Sequence, residues 1–136
     1  MILFIDSDVL LDAVLMRVPF DDFALKVLSL IDREDHTLYA SAHSLLNVYY
    51  IASKIAGKPA ALKSIGLLEQ KLNIASTNDM VIRTALTSDF SDVEDGVQYA
   101  IALDNRCKII ITRNIKDYSK SSIPVMTAEQ YLRSNF

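Results

Sequence analysis

Residues 1–12 read MILFIDSDVLLD. The apolar run Met1–Ile5 stops abruptly at Asp6, which is the pattern of a buried strand that ends in an acid. From Asp8 to about Arg17, leucines and valines recur at helical spacing until Pro19 breaks the pattern. A strand apolar at every position is covered on both faces, and a helix directly after it is the crossover that a parallel sheet needs. The same pattern returns near the C-terminus, where Lys108 to Thr112 carries three consecutive isoleucines and gives way to Arg113 and Asn114.

The chain between these strands is filled by alternating elements. Phe20 to about Arg33 places Phe23, Val27, Leu30 and Ile31 on one helical face. A short strand, Thr37–Ala40, precedes a helix over Ser41–Ile55 that is apolar on most sides. Gly57, Lys58 and Pro59 mark a stop and a restart, since proline fits a first helical turn where its missing N–H costs nothing. A helix over Ala60–Leu72, a strand over Asn73–Ser76 and a helix over Asn78–Thr87 follow. Ser91-Asp92-Val93-Glu94 has the form of a capping box and opens a helix running to about Asp104. Ile123–Met126 reads as a last strand, and Thr127 with Gln130 as a second capping box opening a terminal helix. Strands separated by helices predict an α/β fold, an α/β/α sandwich around a central, mainly parallel sheet, formed by one domain over residues 1–136.

The 136 residues are 51% hydrophobic, enough for one core without covalent staples. Cys107 is the only cysteine, so no internal disulfide forms, and its setting predicts a buried thiol. No apolar run is long enough to span a bilayer, and the N-terminus lacks the basic lead of a signal peptide, so a cytoplasmic protein is expected. A net charge of −3 argues against a protein that coats DNA through a basic surface. It is compatible with a nuclease, because a carboxylate cluster holding cations carries its own negative charge.

Ligands of open parallel sheets bind at the carboxyl ends of strands. Asp6, Ser7 and Asp8 end the first strand, and Thr112, Arg113 and Asn114 end the fourth, with Asp117 just beyond. Asp95 lies in the first turn of the helix feeding that fourth strand, so all are expected at one edge of the sheet. Several carboxylates sit close together only with a cation between them, and oxygen donors without nearby histidine or cysteine select Mg²⁺ or Mn²⁺.

In this setting three segments are telling. FIDSDVLLDAVL, SDFSDVEDGVQYAIAL and KIIITRNIKDY, in that order, resemble the acidic segments of PIN domains. The resemblance covers nearly the whole chain and implies a metal-dependent endoribonuclease, with the VapC-type toxin of a toxin–antitoxin pair as a common form. Carried onto this sequence, it implies Asp6, Asp95 and Asp117 as catalytic acids and metal ligands, with Asn114 as a further ligand. Asp8, Asn47 and Thr112 would support them. Arg113, Lys116 and Lys120 form the basic cluster available to RNA. Asn47 stands where the family's central helix carries Glu. That departure keeps a second reading in view, an inactive PIN-like module that binds RNA or a protein. The partners implied are RNA, an antitoxin and a second copy of the chain.

Plainer roles compete at several positions. Asp6 or Asp8 could simply cap the following helix, and Asp92 and Glu94 could serve only the helix start. His43 reads as structural and His36 as solvated in an acidic turn. Tyr49, Tyr50 and Tyr99 read as core or subunit contacts. No Gly-rich phosphate loop or GxSxG turn occurs.

Overall fold

The computed structural model describes residues 1–136. The sheet contains β1 (Ile2–Ile5), β2 (Thr37–Ser41), β3 (Asn73–Ala75), β4 (Ile109–Ile111) and β5 (Val125–Met126), in the order β3-β2-β1-β4-β5. Every pairing is parallel, with Phe4 opposite Tyr39 on one side and Ile110 on the other. The helices are α1 (Ser7–Val14), α2 (Asp21–Ser29), α3 (Ala42–Ala56), α4 (Lys58–Lys71), α5 (Asp79–Leu86), α6 (Val93–Asp104) and α7 (Ala128–Asn135).

The strand alternation separates two cores. Leu3, Ile5, Leu38, Ala40, Ile109 and Ile111 point to a face covered by α1–α4 and α7. Phe4 and Ile110 point to the opposite face, under α5 and α6. Phe4, Leu3, Ile5 and Ile110 are wholly buried, and each such side chain contributes about 1.5–3 kcal/mol of transfer free energy. The three-layer sandwich expected from the sequence is therefore the one observed.

Several local expectations shift. The first helix ends at Val14 rather than near Arg17, and Met16 turns the chain with φ 54°. Asp92, not Ser91, caps α6, its carboxylate accepting from the Asp95 amide at 3.0 Å. Both residues are good caps, and a one-residue offset decides which reaches the first turn. The capping box at Thr127 and Gln130 forms as expected. Gly57 joins α3 to α4 at φ 91°, a left-handed backbone that glycine adopts without steric cost. His36 is not solvated: its imidazole is 5% exposed, held between Asp35 and the Tyr131 hydroxyl at 2.7 Å from each. Cys107 is buried, and burial pushes its thiol up to about 12.

Candidate active site

The order of strands reverses between β1 and β4, and a crevice at such a reversal is where parallel sheets bind ligands. Asp6 follows β1 directly, and its amide donates to the Ile111 carbonyl at 3.0 Å, which sets it beside the end of β4. Its backbone is extended (φ −72°, ψ 156°), and it is the N-cap of α1, so the plain capping role and the site position coexist.

Asp6 is 6% exposed. Its Oδ1 accepts from the Ser7 amide at 2.8 Å and from Gln98 Nε2 at 3.0 Å. Its Oδ2 accepts from the Thr112 hydroxyl at 2.9 Å and the Tyr118 hydroxyl at 3.0 Å. Burial, then the negative charge of Asp6, push the Tyr118 phenol far up, so it remains a donor. Gln98 Nε2 also donates to Ser44 Oγ at 2.9 Å, and the Ser41 hydroxyl donates to the same atom at 2.8 Å. This connected network fixes the Asp6 rotamer from α3, α6, β4 and the 3-10 turn Ile115–Tyr118.

Asp8 lies in the first turn of α1. Its Oδ2 accepts from the Arg113 amide at 3.0 Å, Asn114 Nδ2 at 3.2 Å and the Thr112 hydroxyl at 3.3 Å. Its Oδ1 is buried with no partner. Burial, then the charge of Asp6, raise its carboxyl to about 6. Asp95, in the first turn of α6, is raised to about 7, by burial first and then by the charges of Asp92, Asp6, Asp117 and Glu94. Asp95 is thus the point where the acids of three elements are felt together.

The expected residues therefore gather as follows. Asp6, Asp8, Thr112 and Asn114 are linked by hydrogen bonds, and Asp95 lies within electrostatic reach of Asp6 and Asp117. Asn114 turns its amide nitrogen onto Asp8, whereas the exposed Asp117 weighs on Asp95. Asn47 is exposed on α3, and Ser44, one turn earlier, is the α3 residue that reaches the network. Arg113 departs from the expected basic cluster. Its Nε and Nη2 bind the buried Asp12 at 2.7 and 3.0 Å, and its guanidinium lies 4.1 Å from the Phe20 ring centroid. Lys116 and Lys120 remain exposed. His43 Nδ1 meets the Thr77 hydroxyl at 2.7 Å, and burial lowers its pKa against the opposing charges of Glu94 and Asp6.

The residues missed in the sequence are Gln98, Tyr118, Ser44 and Asp12. Gln98 had a signal: it sits three residues after Asp95 among the apolar Val97, Ala100 and Ile101, and a polar residue on an inward helical face needs a partner.

The donor set suits a hard divalent cation. It consists of oxygen atoms, it includes the unpartnered Asp8 Oδ1, and the charge of Asp6 helps raise both Asp8 and Asp95. As arranged, no three acids close around one point by themselves.

Sequence comparison gives the relationship. The family model for the PIN domain matches residues 3–116. The chain belongs to the PIN-domain family. The matched span takes in Asp6, Asp8, Asp95 and Asn114 and ends just before Asp117. This PIN domain is 27% identical over 133 residues to Ribonuclease VapC1 of Aquifex aeolicus (strain VF5), covering 94% of this chain and 91% of that protein. Its fold is similar to VapBC-1 from nontypeable Haemophilus influenzae, with TM-score 0.69, 16% identity and coverage of 95% and 99% of the two chains. It is likewise similar to FitAcB from Neisseria gonorrhoeae, with TM-score 0.68, 17% identity and the same coverage of 95% and 99%. At these identities the structural likeness is one of fold. No helix of the PIN domain is long and apolar enough to cross a membrane.

The raised acids make a pH prediction. Asp8 and Asp95 titrate in the folded protein above their ordinary value of 3.8. Such a group stabilises the fold fully below the ordinary value, and that contribution is lost as pH rises through the folded value. Metal-free protein should therefore melt at progressively lower temperature as pH rises from about 4 to about 7. Asp95→Asn should flatten the upper part of that window. A melting temperature constant over the window would contradict the proximity of these acids.

Proposed function

We propose that this PIN domain is a metal-dependent endoribonuclease and the toxin of a toxin–antitoxin pair, acting in the cytoplasm. The observation that carries the reading is the placement of Asp6 and Asp8 at the β1–β4 switch point, hydrogen-bonded to Thr112 and Asn114, with Asp95 close enough for the charges of Asp6 and Asp117 to raise it. The similarity to a protein named a ribonuclease, over 94% of the chain, supports the reaction class. The likeness to a toxin–antitoxin complex from Klebsiella pneumoniae supports an antitoxin partner, and a second copy of the chain is part of the same proposal.

Asp6 and Asp95 would hold Mg²⁺ or Mn²⁺, with Asp117 and Asn114 completing the oxygen set and Asp8 beside them. When bound, the cation would supply Lewis-acid charge stabilisation to a phosphodiester under hydrolysis. Gln98, Thr112 and Tyr118 hold the Asp6 carboxylate in one orientation, so little reorganisation is needed there. A cation held there would offset the charges of Asp92, Asp6, Asp117 and Glu94 that raise Asp95, and so keep its carboxylate ionised as a ligand. Lys116 and Lys120 would meet the RNA backbone.

A second reading, a PIN-like module that binds without cutting, is favoured by Asn47, which offers one neutral oxygen where an acid would stand. RNA cleavage measured with chelator and then with Mg²⁺ or Mn²⁺ restored separates the two. The proposal expects cleavage that disappears with chelator and returns with metal. Binding without cleavage under every metal would favour the module.

Asn47→Glu should then tighten Mn²⁺ binding by roughly tenfold and raise cleavage, because α3 already reaches the network through Ser44 and an added charge close to an ion is strongly felt. The same change should lower the metal-free melting temperature. A variant that gains no more stabilisation from Mn²⁺ than the parent would mean that position 47 does not face the ion.

A further inference from the structure

One cavity adjoins the acids without belonging to them. It has a volume of about 300 Å³ and lies among α1, α2 and the start of α7, with Pro19, Phe20, Phe23, Asp12, Arg113 and Glu129 in its wall. That volume is at the small end of ligand sites, where a single flat ring system fits. Arg113 joins the cavity to the acidic crevice, since its backbone amide donates to Asp8 Oδ2 at 3.0 Å while its side chain lines the cavity.

The wall has two chemical characters. Phe20 is 42% exposed, and the Arg113 guanidinium lies 4.1 Å from its centroid. The ring is an aromatic surface of the kind on which bases stack, while the guanidinium over it offers N–H donors in its own plane. Arg113 uses Nε and Nη2 on Asp12, which leaves further N–H donors open. Glu129 accepts from Arg133 through Oε2 at 3.0 Å and keeps Oε1 open.

Charge argues against a phosphate here. Arg113 is neutralised by the buried Asp12, and Asp8 and Glu129 add negative charge on either side. A neutral ring is not repelled. We propose that this cavity is a nucleobase subsite that takes a guanine of the RNA strand beside the cleavage site. The proposal rests on the ribonuclease reading. Among the bases, guanine offers two acceptors on one edge that a guanidinium can bridge, and donors on another edge that a carboxylate can accept.

The test is an NMR titration of the full-length protein, in chelator, with GMP, AMP, CMP and UMP. These four share the sugar and phosphate, so differences report the base. GMP at millimolar concentration is expected to shift the signals of Phe23, Ala24, Ala128 and Arg113 Nε, more strongly than the other three nucleotides. Phe20→Ala should weaken GMP binding by about fivefold or more, and Glu129→Gln should erase the preference over AMP. Both side chains lie at the surface, so both variants should fold. Absence of these shifts, equal shifts from all four nucleotides, or shifts unchanged in Phe20→Ala would each overturn the subsite. RNA cleavage by the parent protein without GMP binding would sink the subsite and leave the ribonuclease reading standing. GMP binding with no cleavage under any metal would sink the ribonuclease reading and leave a base-binding pocket.

Discussion

Asp6→Asn should reduce RNA cleavage by on the order of 10²–10³-fold, the loss expected when a preorganised charge at a reacting centre is removed. The substitution also has a structural cost that the sequence alone did not suggest, since a surplus acid in a crowded cluster looks dispensable to the fold. Asp6 instead accepts from Ser7, Gln98, Thr112 and Tyr118. An asparagine has one acceptor oxygen, so whichever way it turns, its NH₂ meets two of these donors. The best arrangement keeps the oxygen on Ser7 and Gln98 and leaves the hydroxyls to rotate. Thr112 can turn to Asp8, 3.3 Å away, but Tyr118 has no second acceptor. A buried donor left unmatched costs about 1–3 kcal/mol. Relief of repulsion from Asp8 and Asp95 offsets part of this, so the metal-free variant should fold and melt slightly below the parent. Thermal melting and RNA cleavage measured on the same preparation check both parts. Cleavage at the parent rate would remove Asp6 from the site.

Arg113→Met should produce the largest loss of stability. Asp12 has a side chain 2% exposed, and Arg113 is its close partner through two hydrogen bonds. Arg17 lies farther off at 3.9 Å and is itself partly exposed. Removing one member of a buried ion pair costs about 3–5 kcal/mol, because the remaining charge is stranded away from water. For a domain of this size that lowers the melting temperature by roughly 10–20 °C. The double variant Asp12→Leu with Arg113→Met should recover much of the loss, since an apolar pair of similar volume removes the stranded charge. If the single variant melts within a few degrees of the parent, the Asp12–Arg113 pair is not what holds α1 to the end of β4.

The backbone of this account was legible in particular residues. Ile5 followed by Asp6, and Ile111 followed by Thr112, mark strand ends because a buried acid or hydroxyl needs hydrogen-bond partners that the apolar faces of a covered strand do not offer. Asp95 was legible through topology, as a first-turn residue of the helix leading into β4. The parts that were not legible depend on tertiary partners. The apolar neighbours of Gln98 mark it as inward-facing but do not name its partner, and nothing local distinguishes Tyr118 from an ordinary core ring. Both acquire their roles by pointing at Asp6 from elements remote in sequence. Arg113 looked like a cation available to RNA because its neighbours in sequence are Asn114, Lys116 and Lys120. Its actual neighbours are Asp12 and Phe20, one helix away. The cap of α6 was misplaced by one residue for a simpler reason: Ser91 and Asp92 are both competent caps, and backbone geometry chooses between them.

The central claim is that Asp6 and Asp95 share a divalent cation at the β1–β4 switch point. Crystals grown with Mn²⁺ and measured at the manganese absorption edge test it directly. The account predicts an anomalous peak ligated by carboxylate oxygens of both Asp6 and Asp95. A well-ordered crevice without such a peak at saturating Mn²⁺, or a peak bound only elsewhere on the protein, would contradict it.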